Sequence, residues 1–111
     1  MGDPDNQWLR GVLELCLLSL LLEGEAYGYE LAARLSDRGV GSVPGGSLYP
    51  ALLRLEKSGH LAAEWRAGDG GPGRKYYRLT EDGRRALTAG AASWRRFAGA
   101  VDGLLEQAVE R

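Results

Sequence analysis

SLYPALLRLEKSGHLAAEWRAGDGGPGRKYYRLT, the run from Ser47 to Thr80, decides the fold. Ser47 is a suitable N-cap, and Pro50 follows in the first turn, where its missing N–H costs little. Leu48, Leu52 and Leu55 recur at i, i+4 and i+7, which predicts a helix with a buried stripe. Tyr49, Pro50, Arg54 and Lys57 fall largely towards its other side. Gly59 is placed to end this helix after Ser58. LAAEWR (61–66) and RKYYRLT (74–80) then predict two strands. Between them AGDGGPG (67–73), with four glycines, predicts a mobile loop. Alternation puts Tyr77 and Leu79 on one strand face, with Arg74, Tyr76 and Arg78 on the other. Thr80, followed by Glu81 and Asp82, predicts a helix start with acidic groups at the positive end of the dipole.

Working outward, residues 8–22 are apolar on nearly every face, as expected of a helix buried against several others. The polar MGDPDNQ before it (1–7) predicts a flexible arm. A second helix is expected over 27–38, with Leu31, Ala32 and Leu35 on one stripe and Gly39 closing it. Downstream, Leu87, Ala91, Trp94, Ala98, Val101, Leu105 and Ala108 alternate by four and three residues, the seam pattern of a coiled coil. Gly90, Gly99 and Gly103 each cost about 1 kcal/mol of helix propensity there, so tertiary or dimer contacts must offset them. This order predicts a mainly α (α+β) chain: a winged helix-turn-helix domain over 8–80, then a long C-terminal coiled-coil-like dimerisation helix over 81–111. In such a fold the third helix can enter the DNA major groove, and the hairpin is the wing beside it.

Charge supports that reading only when sorted by position. The 111 residues carry 14 Lys+Arg against 15 Asp+Glu, a net of -1. Residues 1–44 hold three basic and seven acidic groups, whereas 45–85 hold eight basic and five acidic. The positive charge is therefore gathered into a local footprint. Arg66, Arg74, Lys75 and Arg78 flank the wing loop, where cations gain affinity by releasing counterions from phosphate.

Other function classes lose support from the same residues. One Cys and one His exclude a disulfide framework and leave little for a metal or His-based catalytic site. No catalytic residue, metal or cofactor is expected. The longest strongly apolar run, 12–22, contains Glu14 and is too short to span a bilayer. With Asp3 and Asp5 where a secretory signal would be basic, a cytoplasmic location is expected. The residues 68–73 match G-x-G-x-x-G, but strand-like RKYY follows instead of a helix, so a dinucleotide loop fails its context test.

GYELAARL (28–35), GSLYPALLRLEKSGHL (46–61) and GGPGRKYYRLTEDGRRAL (70–87) together resemble the PadR family of bacterial transcriptional regulators, with the likeness covering about residues 8–106. The resemblance implies a homodimeric winged-helix repressor acting on a pseudo-palindromic operator, often of detoxification, efflux or stress genes. A single helix after the wing groups the chain with short members. Carried over by position, Ser47, Tyr49 and Pro50 start the recognition helix, Tyr29 lies near the DNA backbone, and Gly70, Gly71, Arg74 and Lys75 match the wing. In some short members a tryptophan of the last helix lines a pocket at the dimer interface and stacks planar aromatic ligands; Trp94 falls there.

Each of these residues also has a plainer reading. Trp94 either fills the dimer interface or stacks a small hydrophobic or aromatic effector, and Trp8 either faces the same pocket or anchors the first helix, the anchor being preferred. Trp65 is expected to pack. Arg54 and Lys57 either meet DNA or form surface ion pairs. Cys16, within the most apolar helix, is expected to be a buried, inert thiol. His60 is expected to be a boundary residue, with Arg84 and Arg85 solvating the last helix. The competing function is a winged-helix protein-interaction module that never touches DNA.

Overall fold

The computed structural model describes residues 4–68 and 70–109. Helix α1 (Pro4–Leu21) leads into a two-residue strand, β1 (Ala26–Tyr27), and two helices, α2 (Gly28–Asp37) and α3 (Gly45–Lys57). Strands β2 (Leu61–Gly68) and β3 (Gly71–Leu79) form a hairpin, and the 29-residue α4 (Glu81–Val109) completes the chain. The sheet is antiparallel in the order β1-β3-β2. This is the winged helix-turn-helix architecture with a long C-terminal helix, as the element order predicts.

A leucine-rich core joins the first three helices to the sheet. Leu17 of α1, Leu31 and Leu35 of α2, Leu48 and Leu52 of α3 and Leu61 of β2 are fully buried together. The stripe expected on α3 is the one observed, with Ala51 added to it. Tyr77 is buried and Leu79 packs against the core, so strand alternation placed both faces of β3 correctly. Gly39, at φ 78°, takes the left-handed conformation that a helix-ending glycine permits.

Four boundaries differ from the expectation. The helix expected from Trp8 already runs at Pro4, since the fixed φ of proline suits a first helical turn; residues 1–3 of the expected arm lie outside the described residues. Strand β1 is too short to carry a period, and it forms by pairing Ala26 with Tyr77 and Tyr27 with Tyr76. Helix α3 begins two residues before Ser47, after an extended Pro44. Ser47 is thus inside the helix, its N–H bonded to the Pro44 carbonyl at 2.9 Å, and Pro50 lies in the second turn. Most of the expected loop 67–73 is instead ladder. Pairing continues to Gly68 opposite Gly71, with a register shift between Arg66 and Gly68, and Gly70 turns the chain at φ 69°.

Helix α4 is attached at its first half. The Thr80 hydroxyl accepts from the Gly83 N–H at 3.0 Å and donates to the Gly59 carbonyl at 2.6 Å, so the expected N-cap also ties α4 to the end of α3. Gly83 lets the helix pass His60: a Cβ there would stand 2.1 Å from the His60 carbonyl oxygen. A Cβ on Gly90 would stand 2.7 Å from Cδ1 of Leu15, where α4 crosses α1. Beyond this crossing Trp94, Phe97, Leu104 and Leu105 are all exposed. No helix among the described residues is long and apolar enough to cross a membrane.

Candidate nucleic-acid interface

Three elements converge on one face: the start of α2, the outer side of α3, and the wing. Tyr49 joins the first two. Its ring lies against Gly28, where a Cβ would approach Cε1 of Tyr49 to 2.6 Å, so a larger residue there would displace the ring. The Tyr27 N–H, just before α2, donates to Oε1 of Glu30 at 3.1 Å and secures the helix start. Tyr29, the second residue of α2, then projects outward.

The wing is tied to the same place by aromatic and cationic contacts. The Arg74 guanidinium lies 4.7 Å from the centroid of the Tyr27 ring, a stacking distance for a cation on an aromatic face. Tyr27 meets Tyr76 edge to face at 5.4 Å. Arg66 stacks on Tyr76 at 4.5 Å, and its nitrogens contact Glu25 and Glu64 at 2.7 Å. The Arg66 guanidinium holds the Glu25 carboxyl below the usual carboxylate range and is itself held more firmly protonated by the two acids. Arg66 is therefore neutralised locally, whereas Arg74 remains exposed and makes no ion pair among the described residues.

Between α3 and the wing, Tyr49, Trp65, Arg74 and Lys75 border an open cleft of about 220 Å³. Tyr29, Tyr49 and Trp65 are 73%, 52% and 69% exposed, high values for large aromatic side chains. Trp65, expected to pack, instead stands out from the wing opposite Lys75 in the β2–β3 register. Its exposure follows from the extended hairpin, which carries Trp65 past the end of the core. Strand alternation could have placed it beside Lys75, but not at the edge of a cleft shared with Tyr49 of α3.

The structure thus brings Tyr49, Arg74 and Lys75 together around the cleft, leaves Tyr29 exposed near the start of α2, and keeps Gly70 and Gly71 at the wing tip. Pro50 and Lys57 remain exposed on α3. Ser47 and Arg54 turn elsewhere. Ser47 borders a groove of about 180 Å³ with Leu9, Arg10 and Leu13 of α1. Arg54 is paired with Glu14 of α1 at 3.0 Å. Lys75, on the Tyr77 side of β3, is paired with Glu56 at 2.8 Å, and this contact raises the pKa of its ammonium. Glu56, which in the sequence neighbours Arg54 and Lys57, is paired instead with Lys75, a partner the sequence could not supply because it lies on a different element.

On α4, Trp94 and Phe97 form a tilted pair with ring centroids 6.4 Å apart. Trp8 does not anchor α1 in the core, for its side chain is exposed. Cys16 is partly buried within α1, and the burial raises the pKa of its thiol. No group of His, Cys, Asp and Glu that could hold a metal ion occurs among the described residues.

A profile of the Transcriptional regulator PadR-like family matches residues 17–89, which include α2, α3 and the whole wing. The chain is 40% identical over 83 residues to the transcriptional regulator Rv3488 of Mycobacterium tuberculosis, covering 75% of this chain and 76% of the relative. Its fold superposes on a PadR family transcriptional regulator from Eggerthella lenta with a TM-score of 0.80 at 41% identity, covering 90% of this chain and 87% of that one. A PadR-like transcriptional regulator from Bacillus cereus gives 0.76 at 40% identity, with 89% and 96% covered.

Proposed function

The chain belongs to the PadR-like family of transcriptional regulators, which are not enzymes, and from that premise we propose that it is a homodimeric, sequence-specific DNA-binding repressor. The observation that carries this reading is the convergence of Tyr49, Trp65 and Arg74 on the cleft between α3 and the wing, with Tyr29 exposed near the start of α2. Helix α3 enters the major groove, with Tyr49, Pro50 and Lys57 on its outward side. Arg74 meets phosphate, and the glycines at 70 and 71 let the wing backbone approach closely. Tyr29 contacts the backbone from the start of α2. Two copies place their α3 helices in successive major grooves, about 34 Å apart, on a pseudo-palindromic operator.

The dimer reading rests on α4. The outer part of its seam, including Leu105, and the flanking Phe97 and Leu104 are exposed, although a repeat of this spacing is suited to a partner helix. A second copy that covers this surface buries Trp94 at the interface. The outward pairing of Trp94 with Phe97 supports one further role, the stacking of a small hydrophobic or aromatic effector there, with Trp8 on the adjoining helix. Such an effector changes DNA affinity only if it binds two arrangements of the dimer differently.

Mobility shift with the DNA upstream of the chain's own gene, at low and high salt, tests the central claim. Affinity is expected to fall steeply with salt as phosphate contacts are lost. No shift at low salt would favour a protein-interaction module instead. Titration of a planar aromatic dye against the protein and its Trp94→Ala variant tests the effector site, and equal binding by both removes Trp94 from it.

A further inference from the structure

We propose that Lys75 is a positioning residue rather than a phosphate contact: its ion pair with Glu56 fixes the wing against the recognition helix. The inference concerns how the DNA-binding face is held together, and it rests on the DNA-binding reading above. Sequence position alone favours the opposite role, since Lys75 follows Arg74 in the basic wing motif.

Geometry separates these two neighbours. Arg74 is exposed at the edge of the cleft, whereas Lys75 lies on the strand face that carries the buried Tyr77. The Lys75 and Glu56 side chains are only 27% and 31% exposed, the smallest paired values among the ion pairs of the described residues. The Lys75 ammonium is 2.8 Å from Oε1 of Glu56 and 5.6 Å from the Tyr77 ring centroid. It therefore faces a carboxylate of α3 and an aromatic ring of the core. A cation engaged in this way has little field left for a phosphate.

The pair also occupies a mechanically useful place. Glu56 lies in the last turn of α3, two turns beyond Tyr49, and Lys75 lies in the middle of β3. Lys75 also lines the cleft that Tyr49, Trp65 and Arg74 border. The wing beyond it is a two-stranded hairpin, and an isolated hairpin of that kind is only marginally stable in water. A half-buried ion pair at its root restricts the angles from which Arg74 and Trp65 are presented.

The two roles predict opposite signs for one substitution. If Lys75 is a phosphate contact, Glu56→Gln removes a nearby negative charge and frees the lysine, so DNA binding tightens or stays level. If the pair positions the wing, Glu56→Gln weakens binding, by roughly tenfold on the scale of coupling between contacting charged residues. Lys75→Met weakens it by a similar factor, the double variant is no worse than either single one, and Lys75→Arg restores most of the affinity. The slope of log affinity against log salt stays at the wild-type value in Lys75→Met, whereas loss of a phosphate contact lowers it by about one.

Hydrogen exchange of the intact protein without DNA supplies the second measurement. Glu56→Gln and Lys75→Met are expected to speed exchange in the β2–β3 hairpin while the amides of α1 and α2 keep their protection. Unchanged wing exchange, a tighter-binding Glu56→Gln variant, or a lowered salt slope in Lys75→Met each overturns the proposal. If wild-type protein binds no DNA but the wing loosens in both variants, the anchoring stands and the DNA-binding reading falls.

Discussion

The two halves of α4 are built from similar residues and meet opposite surroundings. In the first half every glycine with a close neighbour is explained within the chain: Gly83 clears the His60 carbonyl and Gly90 clears Leu15. In the second half Gly99 and Gly103 meet nothing within 4 Å, and Phe97, Leu104 and Leu105 are exposed. The same helix is thus fitted to its own domain at one end and left without a counterpart at the other. An apolar seam that continues past its support is the surface that the proposed second copy would cover.

The contrast can be broken most decisively at Leu105. Leu105→Glu places two carboxylates in a symmetric interface and should cost about 4 kcal/mol of association, as expected for uncompensated buried charge. Sedimentation velocity should then show monomer where the wild type is dimeric; an unchanged species would place the interface elsewhere. Next in size is Gly83→Ala, which forces α4 away from the His60 carbonyl. A loss of about 3 kcal/mol, at the upper end for overpacking, is expected in denaturant unfolding. Gly90→Ala should cost less, about 1 kcal/mol, because its obstacle is the flexible end of Leu15, which can turn aside.

Gly99→Ala sharpens the comparison by its sign. With no atom in the way, the alanine should stabilise the helix by up to about 1 kcal/mol and raise the melting temperature. A fall in melting temperature with weaker dimerisation would instead put Gly99 at a close helix crossing between copies. Smallest of all, Cys16 should remain unreactive towards a maleimide at neutral pH until the protein unfolds, since burial raises its thiol pKa and less thiolate is present. Rapid labelling of folded protein would mean that α1 opens far more readily than its packing suggests.

Much of the fold could be read from periodicity because periodicity records which face meets the core. Leu48, Leu52 and Leu55 identified the buried side of α3, and alternation identified both faces of β3. Local chemistry also sufficed at Thr80, whose cap depends on residues a few positions away. What escaped was non-local. Strand β1 exists only because β3 lies beside it, and the wing ladder extends through Gly68 and Gly71 because pairing overrides their weak strand preference. The candidate site divides along the same line. The exposure of Tyr49 could be read from periodicity, but Arg54 and Lys75 are paired with Glu14 and Glu56, carboxylates on other elements. Charge counting located the basic segment and could not show which of its cations were already engaged.

The length of α4 also has a consequence for motion. The molecule extends 59 Å along its longest axis, far more than its 33 Å and 21 Å widths. A protomer held at the outer end of this helix behaves as a lever, with the wing and α3 on the moving arm. Rotation by about 5° at the fixed end displaces the far end by roughly 5 Å, close to the one-turn steps by which packed elements ratchet past one another. Such a displacement is about one seventh of the ~34 Å between half-sites, one to two base-pair steps, so in the proposed dimer the register of the two α3 helices on DNA would respond to small angles at a distant joint.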